Sequence, residues 1–182
     1  MKVTNVRVYD LDETITESGL PHSTEPEYSL YRMQRLSATT IGSGHDCALK
    51  GIIVRCRLEA DHSFWQQWQR YHFQDIVSSN SKMNCITNME LNYHPLVINT
   101  TREFLENTIN MYNQSDDNKT QELFETIIMN VPLGLMLKAG VVTNYLQLKT
   151  IYSQRKHHKM SSWKLFCEWI ETLPLSKELI TQ

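Results

Sequence analysis

The sequence predicts a mixed α/β (α+β) fold with a helix-rich second half, in one domain over residues 1–182. Three observations predict it. Residues 51–59 alternate with a period of two: Ile52, Val54, Cys56 and Leu58 fall on one face, and Ile53, Arg55, Arg57 and Glu59 on the other. Past residue 100, apolar residues recur instead at the three- and four-residue spacing of amphipathic helices. A chain of 182 residues with a hydrophobic fraction of 41% can also bury one substantial core.

The elements follow in order. Residues 3–10 read as a strand with Val6 and Val8 on one face, and residues 17–28, holding Gly19, Pro21 and Pro26, read as a loop. Residues 30–36 form a short helix, which Gly42 and Gly44 separate from the strand at 51–59. Asp61 or Ser63 caps a helix carrying Phe64, Trp65, Trp68 and Tyr71, whose two tryptophans read as core. Residues 76–92 are polar and give no clear element. Leu105, Ile109 and Tyr112 mark a helix over 101–112. A turn and N-cap at Ser115, Asp116, Asp117 and Asn118 opens a second helix, marked by Leu123, Phe124, Ile127, Ile128 and Val131. Residues 132–140 read as an apolar connection and 143–155 as a third helix, with Leu148, Ile151 and Tyr152 inward. After a basic joint at 155–159, Ser161 or Ser162 caps a last helix with Trp163, Phe166, Cys167 and Ile170 inward, closed by Pro174.

Composition narrows the function. A net charge of −2, with no basic stripe between the aromatics, gives no reason to expect nucleic-acid partners. No apolar run approaches a bilayer span, so no membrane partner is expected. Cys47, Cys56, Cys85 and Cys167 are scattered and read as reduced thiols of a cytoplasmic protein. No metal site is expected: His157 and His158 are adjacent on a helix end and do not converge on one ion.

Two motifs carry chemistry. Asp10, Asp12 and Thr14 match the D-x-D-x-T motif of haloacid-dehalogenase-type phosphatases, in which Asp10 would be the nucleophile and Asp12 the general acid beside Mg²⁺. The regular strand–helix alternation of a doubly wound sheet is missing, so the motif reads as an acidic turn after the first strand. The second constellation spans residues 45–83. His45 precedes the strand, Trp68 and Arg70 end the aromatic helix, and Lys82 follows twelve residues after Arg70. A later block sets Pro132, Leu133 and Leu135 before Asn144, Leu148 and Arg155. The eleven residues from Asn144 to Arg155 make almost three helical turns, which puts both polar groups on one face at the rim of the core.

These two blocks resemble the flavin-dependent thymidylate synthases. That family has a His-x-x-x-x-Glu-His segment, a Trp-x-Arg-His-Arg helix end, a Ser-x-Arg-Tyr loop, and a Pro-Leu-x-Leu stretch before Asn-x-x-x-Leu-x-x-x-x-x-x-Arg. The resemblance implies a mixed α/β subunit of a homotetramer, with FAD and dUMP held between subunits and NADPH and methylenetetrahydrofolate consumed. His45, Arg70, His72 and Asn144 would border the flavin. Asn80, Ser81, Lys82 and Arg155 would bind the nucleotide, Lys82 at the phosphate and Arg155 at the base as the catalytic cation. The chain departs from the family at several positions. Arg70-Tyr71-His72 stands for Arg-His-Arg, Lys50-Gly51 for Glu-His, and Ser78 for an acid or amide. Asn80, Lys82 and Met83 replace the loop's Ser, Arg and Tyr, and Ile128 replaces an Arg. The pattern is similar to divergent phage and prophage relatives. It leaves two readings besides the enzyme: a non-catalytic nucleotide-binding protein on the same fold, and the D-x-D-x-T phosphohydrolase.

Overall fold

The computed structural model describes residues 1–115 and 120–182. The N-cap expected at residues 116–118 therefore lies outside the described residues. Four antiparallel strands, β1 (Lys2–Tyr9), β2 (Ile53–Asp61), β3 (Gln74–Ser79) and β4 (Met136–Asn144), form a sheet in the order β1-β2-β4-β3. The alternation in β2 sets its two faces: Val54, Cys56 and Leu58 are buried, while Arg55 and Arg57 are exposed. Its partner β4 repeats the pattern, with Leu137, Ala139, Val141 and Thr143 inward.

β4 corrects the sequence reading, which took residues 132–140 as a connection and began a helix at 143. Its period of two is masked because Met136 and Val142 are apolar on the outward face and Gly140 has no side chain, as suits an inner strand flanked on both sides. β1 brings a second correction. Asn5, at φ 53, sits in an irregularity between Thr4 and Arg7, so Val3 and Val8 pair with the inward residues Leu58 and Val54 while Val6 is left exposed.

The helices are α1 (Leu11–Glu17), α2 (Leu30–Ser37), α3 (His62–Trp68), α4 (Lys82–Cys85), α5 (Asn99–Gln114), α6 (Thr120–Met129), α7 (Tyr145–Arg155), α8 (Ser161–Glu171) and α9 (Ser176–Leu179), with a 3-10 turn at Cys47–Gly51. Helix α9 follows Pro174, so α8 is not the last helix. Asp61 caps α3 by accepting from the Phe64 N–H at 2.9 Å. Neither Ser161 nor Ser162 caps α8. Met160 holds the N-cap position without a side-chain bond, and the Ser162 hydroxyl instead donates to Asp61, tying α8 to the start of α3.

The inward sheet face packs on an aromatic cluster. Phe64 lies 4.3 Å from Trp163 between ring centroids, and Trp68 and Phe166 meet edge to face at 5.2 Å. Trp68 and Trp65 are core, as the sequence predicts. All four cysteines are free, with Cys56 and Cys167 buried and Cys47 exposed. Among the described residues no helix is long and apolar enough to cross a membrane.

Candidate functional site: a basic cavity against helix α7

Helix α7 leaves the end of β4 directly, because Asn144 both ends the strand and caps the helix by accepting from the Gln147 N–H at 2.9 Å. The helix therefore starts at the end of an inner strand, and one of its flanks (Leu146, Gln147, Thr150, Gln154, Arg155) walls a cavity of about 700 Å³. The opposite walls are the link between α3 and β3 at residues 70–73 and the loop at 41–50. Ligand pockets fall in this size range.

Arg155 is the most constrained group in the cavity. Its Nε donates to the Tyr71 hydroxyl at 2.7 Å and its Nη1 to Gln67 Oε1 at 3.1 Å. Its Cζ stands 4.7 Å from the centre of the buried Trp163 ring. Gln67 Oε1 also accepts from Trp163 Nε1 at 3.1 Å, and the Tyr71 hydroxyl donates to Gln154 Oε1 at 3.2 Å. The guanidinium is thus fixed on three sides, and its Nη2 has no partner among the described residues. A preset cation with free donors suits an oxyanion or a carbonyl on which charge builds up.

The lining is basic. Lys50, Arg70, His72 and Arg155 face one carboxylate, Asp46. Asp46 is buried and already neutralised, since its Oδ2 accepts from Lys149 Nζ at 2.7 Å. Lys149 Nζ also donates to the Thr39 carbonyl at 2.9 Å, so this ion pair pins the loop wall to α7. Phe73 is exposed at the rim with Lys50 Nζ 5.6 Å from its ring centre, and its backbone N–H donates to Gln147 Oε1 at 3.2 Å. The cavity therefore offers cationic groups and an accessible flat aromatic face side by side.

Of the residues singled out from sequence, the structure brings Arg70, His72 and Arg155 together in this cavity. It does not bring the others. His45 lines a separate hollow with His22 and Thr39, although its neighbour Asp46 reaches the main cavity. Asn144 belongs to β4 and its side chain is committed to the cap, so it does not share a helix face with Arg155. Asn80 is bound to β4, its Oδ1 accepting from the Lys138 N–H at 3.0 Å. Ser81 caps α4 by accepting from Asn84, and Lys82 opens that helix, away from the cavity. Burial first, then the Lys82 charge, lowers the pKa of nearby His62 against an opposing effect of Asp61.

Sequence reasoning missed Gln67, Tyr71 and Trp163 as the seat of Arg155, and Lys149 with Asp46. The four-residue step from Gln67 to Tyr71 is no helical signal, because α3 ends at Trp68, and Tyr71, which the sequence reading placed on that helix, lies beyond it. The contacts of Trp163 and of Lys149 are tertiary and left none. Asp10 and Asp12 end the edge strand β1 and open α1, both exposed, with Asp10 at φ 61. An all-antiparallel sheet has no crevice at the carboxyl ends of parallel strands, which is where a doubly wound phosphatase places such a pair.

No protein-family model matches the sequence, and no curated protein matches it. Solved structures do match. The flavin-dependent thymidylate synthase ThyX from Helicobacter pylori, complexed with FAD and dUMP, superposes with a TM-score of 0.68 over 100% of this chain and 98% of that one. A second structure of Thymidylate Synthase X from the same organism, also with FAD and dUMP, gives 0.70 over 100% and 97%. The fold is that of the flavin-dependent thymidylate synthases. Sequence identity is 12% in both cases, so the likeness to ThyX is one of backbone architecture. It agrees with the mixed α/β fold and the family resemblance read from residues 45–83 and 132–155.

Proposed function

We propose that this chain is a divergent relative of the flavin-dependent thymidylate synthases, a single domain of phage type, that binds FAD and a pyrimidine nucleotide such as dUMP. The observation that carries the reading is Arg155, held rigidly with free donors at a basic cavity on a fold solved elsewhere with both ligands. The side chains present fit the flavin. Arg70 and Lys50 supply positive charge for its phosphates, His72 a polar ring beside them, and Phe73 and Tyr71 offer flat faces for its rings. A reduced flavin, when bound, supplies hydride to the pyrimidine ring, with methylenetetrahydrofolate as carbon source and NADPH as reductant. Arg155 faces the base and stabilises negative charge as the ring is activated. The Trp163 and Tyr71 rings exclude water from one side of that guanidinium and so strengthen its field.

Asn80, Ser81 and Lys82 lie away from the cavity. In this reading a second copy presents them, so the nucleotide phosphate is reached only in a homo-oligomer, a tetramer, in the cytoplasm. His45 and Asn144 border the flavin from the same interface. No nucleic acid or membrane is involved.

A second reading, a nucleotide-binding protein without turnover, is favoured by one observation. The position of the family's central His in Arg-His-Arg is Tyr71, whose hydroxyl is spent on Arg155 and Gln154. Incubation with FAD, NADPH, methylenetetrahydrofolate and dUMP tritiated at C5 separates the two. Tritium release that Arg155→Ala abolishes supports the enzyme, and tight dUMP binding without release supports the binding protein.

A further inference from the structure

The loop wall of the main cavity has space on both of its sides. Ile41, Gly42 and Gly44 face the cavity of about 700 Å³, while Thr39 and His45 line a hollow of about 450 Å³ beside α2. Residues 40–45 thus form a thin partition, and all of them are exposed. Their hydrogen bonds among the described residues stay within 39–47. The Ser43 N–H donates to the Thr40 carbonyl at 3.0 Å, and the Ser43 hydroxyl to Thr39 Oγ1 at 3.3 Å. The His45 N–H donates to Ser43 Oγ at 3.4 Å, and the Cys47 N–H to the Gly44 carbonyl at 3.3 Å. The partition is tied to the core at its ends.

Those ends meet at one nitrogen. Lys149 Nζ donates to the Thr39 carbonyl at 2.9 Å and to Asp46 Oδ2 at 2.7 Å, so a single buried ammonium closes the loop at its base. Each end also continues into a packed element. Helix α2, with Met33 and Ser37 buried, stops just before Thr39, and the 3-10 turn, with Leu49 buried, follows Asp46. Between the anchors lie Gly42 at φ 87 and Gly44 at φ 85, a left-handed backbone that glycine adopts without steric cost. A Cβ at either position would meet no atom within 4 Å, so neither glycine is there to make room for packing. Local hydrogen bonds, exposure and hinge residues between fixed ends mark a segment that opens separately from the core.

We propose that residues 40–45 are a strap with two positions. In one it is turned into the main cavity, so that Ile41 covers the occupant. In the other it is turned into the hollow beside α2, which frees the cavity mouth. Lys149 holds the base of the strap through the motion, and the two glycines absorb the change in backbone dihedrals. An occupant enters and leaves only through the second position, which ties both of its rates to the strap. The choice of FAD as probe rests on the flavin reading; the partition, the clamp and the hinges do not.

Pulsed electron–electron double resonance on the full chain tests it. Spin labels go on Ser43→Cys in the strap and on Glu168→Cys, an exposed position of α8, in a background of Cys47→Ser and Cys85→Ser. Two label-to-label distances are expected without FAD, converging on one at saturating FAD. Gly44→Ala in this background should change the ratio of the two roughly tenfold, because a Cβ strains the left-handed backbone. If the two distances respond to Gly44→Ala while the flavin spectrum shows no FAD bound, the flavin reading fails and the strap stands. Two distances whose ratio bound FAD leaves unchanged overturn the closure. One distance, the same with FAD, without it and in Gly44→Ala, overturns the strap altogether.

Discussion

Tyr71 and Arg155 are joined by a 2.7 Å hydrogen bond from the guanidinium Nε to the phenol oxygen, with the Arg155 Cζ 5.7 Å from the Tyr71 ring centre. Tyr71 lies just past the end of α3 and Arg155 on the last turn of α7. The contact therefore fixes both the position of the cation and the width of the cavity mouth. Tyr71→Phe keeps the ring and removes the acceptor. A hydrogen bond from a charged donor is worth about 1.5–3 kcal/mol net, so the melting temperature should fall by several degrees. Affinity for dUMP should fall roughly three- to tenfold as Arg155 gains freedom, which titration of the two proteins measures.

Gln67 holds Arg155 and Trp163 with one oxygen, accepting from each at 3.1 Å. Gln67→Ala leaves the indole N–H of a fully buried tryptophan without its partner. A buried unsatisfied donor costs about 1–3 kcal/mol. Gln67→Glu keeps an acceptor for both groups and adds charge opposite Arg155, so it should recover most of that loss in denaturant melts. Equal destabilisation by the two substitutions would show that the oxygen is not what matters.

Lys149 and Asp46 form an ion pair with almost no solvent contact. Lys149→Met strands the carboxylate and should cost about 3–5 kcal/mol, whereas replacing both partners by apolar residues of similar volume should cost far less. Because Lys149 also holds the Thr39 carbonyl, the single variant should loosen the loop wall of the cavity as well. Faster amide exchange at residues 42–46, beyond that in the double variant, checks this.

Asp61 links pH to stability. Burial acts to raise its pKa, but hydrogen bonds from Ser162 and Ser63 and from the backbone N–H groups of Phe64 and Asp61 itself outweigh it and hold the carboxyl below its usual 3.8. A pKa lowered by folding contributes stability above the unfolded value, and that stability is lost as pH falls through the folded value. Acid melts from pH 5 downward should therefore be steeper in the unsubstituted chain than in Asp61→Asn. Parallel curves would remove Asp61 as the cause.

Much of the fold was legible because it rests on local pattern. The alternation of β2, the aromatic stripe of α3 and the apolar spacing of α5, α6 and α8 are each written in one stretch of chain. β4 was not legible. Its outward positions include Met136, Gly140 and Val142, so no polar face announced the strand, and the helix start was set two residues early. The site was half legible. Arg70, His72 and Arg155 could be found from motif spacing, but Trp163 beneath Arg155 and Lys149 beneath Asp46 come from elements that meet only in three dimensions. The strap is the clearest case of this kind. Lys149 holds Thr39 and Asp46 from 110 and 103 residues further along the chain, and only the fold brings its ammonium to both ends.

The central claim, that the cavity under Arg155 takes a flavin and a pyrimidine nucleotide, is tested most directly by the visible absorption spectrum of the purified chain during titration with FAD and then dUMP. The expected result is a perturbed flavin band near 450 nm at about one flavin per chain, shifted again by dUMP, with the dUMP response weakened tenfold or more in Arg155→Ala. A flavin spectrum identical to that of free FAD, or a dUMP response of equal strength in Arg155→Ala, would contradict it.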